Sequence, residues 1–216
     1  MAYTGQVSVG GAADIRELPA LSIGKLAVGP MDNNAYLLRC RASGQTVLVD
    51  AANEPPRLLD WIGDGLHAVI TTHQHPDHWQ GLAEVVAATG ARTVAHPLDA
   101  GALPVPTDET VEHGDAIRFG EVTLRVIHLR GHTPGSIALC YDDPEGHPHL
   151  FTGDSLFPGG PGKTVGETNF TSLMDDLEER VFRPLPDTTW VYPGHGDDTT
   201  LGAERPHLGQ WRARGW

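Results

Sequence analysis

The chain reads as an α/β protein: two mixed sheets packed together with helices on the outer faces, a four-layer sandwich. Three observations predict it. Short apolar runs separated by Gly, Pro and Asp turns recur along the length. Segments of helical period occur in both halves, and the second half is richer in adjacent strands. With 216 residues and 39% apolar content, the chain can bury a core of this size.

The elements follow in order. Residues 1–20 are polar and Gly-rich and read as an N-terminal extension; 21–216 read as a single domain. Leu21 to Val28 and Ala35 to Cys40 are strands joined by the turn-like Gly29-Pro30-Met31-Asp32-Asn33-Asn34. Thr46 to Val49 is a third strand, ending at Asp50. Pro55 to Ile62 reads as a helix, with prolines in its first turn and Leu58, Leu59 and Ile62 at helical spacing. Ala68 to Thr72 is a buried strand, followed by a helix from Asp77 to Thr89 that stops at Gly90. Strands then follow at Arg92 to Ala95, Ile117 to Phe119, Val122 to His128, Ile137 to Asp142 and His149 to Thr152. A helix from Thr171 to Phe182, a strand from Thr189 to Tyr192 and a closing helix within Ala203 to Trp216 complete the chain.

Composition excludes several function classes. The formal charge of −13 argues against a nucleic-acid partner, which favours a basic face. No apolar run approaches the roughly 20 residues that span a bilayer, and Met1 to Pro19 lacks the pattern of a signal peptide. A cytoplasmic protein with no membrane partner is the expectation. Cys40 and Cys140 sit in apolar strands and read as buried thiols. Two cysteines are too few to make a thiolate-based zinc site the expectation.

Histidine placement carries the chemistry. Thr72-His73-Gln74-His75-Pro76-Asp77-His78 leaves the end of a buried strand, where α/β sheets build sites. Extended backbone turns alternate side chains the same way, so His73 and His75 can converge on one ion. Pro76 stops the strand, and Asp77 and His78 face the same cleft from the start of the following helix. Imidazole and carboxylate are ordinary ligands for zinc, manganese or iron. A lone histidine is more often a surface or satisfied core group; four donors within six residues point to metal. Gly131-His132-Thr133-Pro134-Gly135-Ser136, Thr152-Gly153-Asp154-Ser155 and Pro193-Gly194-His195-Gly196 each add one donor in a Gly-flanked loop beside a strand.

These four motifs, in this order, resemble the metallo-β-lactamase superfamily, most closely its glyoxalase II-like hydrolases, over roughly Leu21 to Gly196. The resemblance implies an αβ/βα sandwich with a two-metal site along one edge. One divalent ion would be held by His73, His75 and His132, the other by Asp77, His78 and His195, with Asp154 bridging them; zinc is the expected metal, with iron or manganese as alternatives. It also implies that Asn34 and Tyr36 form a structural element, and that Lys163 faces substrate, against the plain alternative of a solvated loop lysine. The implied reaction is attack by a bridging hydroxide on the carbonyl of a small-molecule substrate, with Asp77 orienting the nucleophile.

Asp154 at the bridging position speaks for thioesterases, lactonases and phosphodiesterases and against β-lactamases, which often have a cysteine there. A thioester is the first expectation; a lactonase or phosphodiesterase is the alternative. A mono-iron persulfide dioxygenase is a further one, although Ser155-Leu156-Phe157-Pro158 and Lys163-Thr164-Val165 lack its signature. A purely structural role for the metals is disfavoured, because structural sites are usually closed cages. Genuine glyoxalase II carries a helical extension after its last histidine motif, whereas 21 residues follow His195 here. A different acyl carrier, or binding by Lys163 and the tail around Trp211 and Trp216, is therefore expected. The other seven histidines, 67, 96, 113, 128, 147, 149 and 207, read as surface, cap or supporting groups, with His96 and His128 near strand ends. Asp50 is either a support for a ligand or a turn residue, and Trp79 either a pocket wall or packing. Oligomeric state is not legible.

Overall fold

Strand alternation builds the layers of this protein. A computed structural model describes residues 3–215. The first sheet holds seven strands in chain order: β1 (Asp14–Glu17), β2 (Leu21–Val28), β3 (Asn33–Cys40), β4 (Thr46–Val49), β5 (Leu66–Ile70), β6 (Arg92–Ala95) and β7 (Glu109–Thr110). Neighbours from β1 to β4 are antiparallel, and those from β4 to β7 are parallel. Parallel neighbours need a crossover, and α1 (Pro55–Ile62) and α2 (Leu82–Thr89) supply two of them. The second sheet contains β8 (Ala116–Phe119), β9 (Val122–His128), β10 (Ile137–Asp142) and β11 (Pro148–Gly153). After a small hairpin of β12 (Leu156–Phe157) and β13 (Gly160–Pro161), it is completed by β14 (Trp190–Pro193) and β15 (Thr199–Thr200). Its spatial order is β15-β14-β11-β10-β9-β8.

Each strand sends its two sets of side chains to different cores. Val47, Val49 and Ile70 meet Val126, Leu139 and Phe151 between the sheets. Leu48 and Val69, on the other face, pack under Leu58, Ile62, Leu82 and Val85 of α1 and α2. Ile127, Ala138, Leu150 and Val191 are covered by Leu173, Met174 and Leu177 of α4 (Glu167–Leu177) and by Trp211. The layers are therefore helix, sheet, sheet, helix. Both cysteines are buried and unpaired. Among the described residues, no helix is long and apolar enough to cross a membrane.

Several elements differ from the sequence expectation. The polar N-terminal stretch contributes β1, an edge strand whose Ile15 is exposed, so no buried apolar face marks it. The helix expected from Asp77 is split: a 3₁₀ turn spans Pro76–His78, and α2 begins at Leu82. The reason is one hydrogen bond. An α-helix through Asp77 would bond the Gly81 N–H to the Asp77 carbonyl; it bonds to Ala51 O at 2.9 Å instead. The helix expected from Thr171 starts at Glu167, behind a polar first turn, and runs through a π-turn at Glu178–Phe182, where Arg183 N–H reaches back to Glu178 O. Short α3 (Pro97–Ala100) follows His96, which caps it by accepting from Leu98 N–H. The closing helix is three pieces, α5 (Leu201–Glu204), a 3₁₀ turn at Arg205–His207 and α6 (Leu208–Arg214); Trp216 lies outside the described residues.

Candidate metal centre

The donors converge from both sheets. His73, His75, Asp77 and His78 follow β5; His132 lies in the β9–β10 turn; Asp154 follows β11; His195 follows β14. They form three overlapping groups: His73, His75 and His132; His73, His78 and Asp154; Asp77, His78 and His195. Within each group the ligand atoms lie within 4.8 Å of one another. All seven residues picked out in the sequence are brought together.

The spacing fits cations. His75 Nδ1 is 2.9 Å from His132 Nε2, which is 3.3 Å from His73 Nε2. His78 Nε2 is 3.3 Å from His195 Nε2 and 3.3 Å from Asp154 Oδ1. Asp154 Oδ2 lies 3.6 Å from His132 and 3.5 Å from His195, so its carboxylate sits between the clusters. Asp154 Oδ1 is buried without a hydrogen-bond partner. Imidazole lone pairs facing one another and a carboxylate left open are what divalent cations would satisfy.

Tautomers are set from outside the cluster. His195 Nδ1–H donates to Met31 O at 2.9 Å and His132 Nδ1–H to Lys163 O at 2.6 Å. Carbonyls only accept, so Nδ1 carries the proton in both rings and Nε2 is the nitrogen turned toward the cluster. His78 Nδ1–H donates to Asp50 Oδ2 at 2.8 Å. The Thr72 hydroxyl also donates to that oxygen at 2.8 Å and accepts from His73 Nδ1 at 3.0 Å. Asp50, with φ 58, thus supports two of the candidate donors, His78 directly and His73 through Thr72.

The loop carrying His195 is stitched to the first sheet. Asn34 N–H donates to Gly194 O, and its side-chain amide to Pro193 O and Gly196 O. Tyr36 OH donates to Pro193 O at 2.6 Å. These two residues are structural, as the motif implied. Asn33, which the sequence reading passed over, donates to Asp77 Oδ2 at 2.9 Å; its place beside Asn34 in a turn gave no separate signal. Lys25 was also missed. It shares strand parity with Leu21 and Ile23, so it points between the sheets, fully buried, with its ammonium on Gly5 O, Gly196 O and Asp198 Oδ1 at 2.7 Å each. Gly194 is required by contact: a Cβ there would strike Asp154 Oδ1 and lie 2.7 Å from His78 Cε1.

Charge follows the same geometry. His195, with Asn33, holds the Asp77 carboxyl well below the usual range. Burial would raise Asp154, yet His195 and His78 hold it far lower. Burial opposes charging of His78, but Asp50 and Asp154 push it up to about 10; His195, against the same penalty, is pushed up to about 10 by Asp154 and Asp77. Burial, with His78 beside it, drives His73 well down, and burial also lowers His132. The Asp77, His78, His195 side is thus strongly polarised, while burial favours the neutral, cation-binding form of His73 and His132.

Lys163 reaches the centre through its backbone carbonyl, and its side chain is exposed. Trp79, half-buried, donates Nε1–H to Gln74 O and packs against the cluster that contains Leu58 and Leu82. His96 stacks on His128 at 4.0 Å, and His128 bonds Pro134 O in the loop of His132. His149 is buried against Tyr192 OH. Trp211 is buried under the second sheet.

Comparison with known proteins gives a consistent picture. The model of the metallo-beta-lactamase superfamily matches residues 28–195. A hydroxyacylglutathione hydrolase of Rhodospirillum rubrum is 37% identical over 184 residues, covering 84% of this chain. The chain spans 66% of that relative's own length, just under two thirds. Among solved structures, TTHA1623 in a di-iron-bound form is 34% identical with a TM-score of 0.67, covering 84% of this chain and 96% of that one. The BLEG-1 B3 metallo-beta-lactamase is 27% identical with a TM-score of 0.74, over 86% of this chain and 97% of that one.

Proposed function

The chain belongs to the metallo-beta-lactamase superfamily, and we propose that it is a thioester hydrolase of the hydroxyacylglutathione hydrolase kind, working with two divalent cations. The observation that carries the reading is the convergence of seven donors from both sheets into overlapping groups within 4.8 Å. In this reading His73, His75 and His132 hold one cation, Asp77, His78 and His195 the other, and Asp154 lies between them. When bound, such a pair supplies water acidified toward neutral pH and a Lewis acid for a carbonyl oxygen.

The chain's own residues do the rest. Asp77, kept ionised by His195 and Asn33, accepts a hydrogen bond from the attacking water and orients it. Asp50 and the two carbonyls on Nδ1 atoms fix the imidazole tautomers. The Lys163 ammonium, on the residue whose carbonyl touches His132, grips an anionic acyl carrier. No serine or cysteine nucleophile is needed. Zinc is the proposed metal; the donor set also suits iron or manganese, and a structural neighbour bears a di-iron centre. Two buried, unpaired cysteines support a reducing, cytoplasmic setting.

The test is metal analysis of the purified protein together with thiol release from a thioester panel, run beside lactones, phosphodiesters and a persulfide with oxygen monitoring. Thioester turnover that disappears on chelation and returns with metal is expected. Hydrolysis that survives complete metal removal overturns the reading; preference for lactone or phosphodiester moves the substrate class, and oxygen uptake moves the reaction.

A further inference from the structure

A buried acid outside the seven donors touches both segments that carry the three-histidine group. Asp99, in α3, is 1% exposed. Its Oδ2 accepts from the Gln74 backbone N–H at 3.0 Å and from Thr133 Oγ1 at 2.5 Å. Its Oδ1 accepts from the Gly135 N–H at 2.7 Å. Gln74 lies between His73 and His75, and Thr133 follows His132. One carboxyl group therefore pins the first-sheet segment to the second-sheet turn, on either side of the same three imidazoles.

The fit is tight and local. A Cβ on Gly135 would lie 2.7 Å from Asp99 Cγ and 2.8 Å from its backbone nitrogen. The turn is closed on itself by Ser136, whose hydroxyl lies 2.7 Å from Thr133 Oγ1 and accepts from Thr133 N–H. Asp50 does a different job: it holds His78 directly and His73 through Thr72. Asp99 reaches the chemistry through backbone, and the recorded bonds tie it to the His75 and His132 segments rather than to those of His78 and His195.

We propose that Asp99 is a positioning residue that sets the affinity of the His73, His75, His132 group for its cation, separately from the Asp77, His78, His195 group. The proposal rests on the two-cation reading above. A cation site needs its three nitrogens held to within tenths of an ångström, and here two come from one sheet and one from the other. Without the tether, the Gln74 and Thr133 segments are free to part, and that group loses its spacing while the other keeps its own supports. Groups that support metal ligands from outside usually alter affinity by roughly 10–100-fold.

The experiment is a zinc titration of the full metal-free chain against a chromophoric chelator, for wild type, Asp99→Asn, Thr133→Val and His75→Ala, with thermal unfolding of each metal-free protein. His75→Ala identifies which binding step belongs to the three-histidine group. Asp99→Asn, which turns an N–H toward one of the three donors, is expected to weaken that step about 10–100-fold and leave the other within about twofold. Thr133→Val keeps Asp99 and its two backbone bonds and should weaken the same step less. Equal binding of both equivalents in Asp99→Asn, or equal weakening of both steps, overturns the proposal. If Asp99→Asn does not fold, Thr133→Val decides: an unchanged step overturns it, and selective weakening supports it. Wild type that binds no zinc removes the two-cation reading, and the proposal with it.

Discussion

His78 Nδ1 and Asp50 Oδ2 lie 2.8 Å apart, both fully or nearly fully buried, and the Thr72 hydroxyl that supports His73 donates to the same carboxylate oxygen. In the two-cation reading, one side chain thus governs a ligand in each group. Asp50→Asn removes the charge and turns an amide N–H toward a donor, either the Thr72 N–H or the His78 Nδ1–H and Thr72 hydroxyl, so the support of both imidazoles is loosened. Both zinc-binding steps should weaken, each by about 10–100-fold, in contrast to the selective effect expected at Asp99. Chelator titration measures it; one step left untouched would show that Asp50 serves a single ligand.

Asn33 is the group that a reader of the motifs would overlook. Its amide donates to Asp77 Oδ2, which also lies 3.3 Å from His195 Nε2. Hydrogen bonds to charged groups contribute about 1.5–3 kcal/mol, so Asn33→Ala should lower thioester kcat/KM about tenfold or more. Steady-state kinetics at saturating zinc checks this, and unchanged kinetics would show that Asp77 needs no such anchor.

Lys163→Ala should raise KM for an anionic thioester several-fold and leave kcat nearly unchanged, because a grip made equally in ground and transition states affects KM alone. A neutral thioester should show no change. Equal KM values for wild type and variant on the anionic substrate would leave only the backbone carbonyl of this residue at the site.

Acid stability has a local source at Asp176. Burial alone would lift its carboxyl, but Arg130, aided by Arg180, holds it below the ordinary value of 3.8. A carboxylate with a lowered folded-state value stabilises fully above its ordinary value and loses that contribution as pH falls through the lowered one. Asp176→Asn should therefore reduce stability at pH 7 by about 1.5–3 kcal/mol and flatten the loss below pH about 4. Chemical denaturation at pH 7 and pH 3 measures both; a constant difference between the two pH values would discount the ion pair.

Much of this arrangement was legible in the sequence, for physical reasons. The inner strands show as apolar runs because both faces are buried, and the seven donors show because ligand chemistry admits few residue types. What stayed hidden depends on tertiary partners. β1 has no apolar face, so periodicity cannot flag it. The split after His78 follows from a bond between Gly81 and Ala51, 30 residues apart. Asn33, Lys25 and Asp99 are ordinary polar residues until the fold places acceptors or donors around them. Asp50 stood between two readings, and its bonds to His78 and Thr72 favour the supporting one.

The donors are divided between the half-molecules: His73, His75, Asp77 and His78 belong to one, His132, Asp154 and His195 to the other. Elsewhere the sheets meet mainly through apolar side chains, which permit sliding, and through a few backbone links such as Ile137 N–H to Thr72 O. A loaded centre would act as a rivet across that seam, and its binding free energy would add to the stability of the assembled whole. Amide hydrogen exchange at Ile137 and Asn34 should slow when zinc is supplied. This catalytic apparatus would then also be the clasp that keeps the two halves in register.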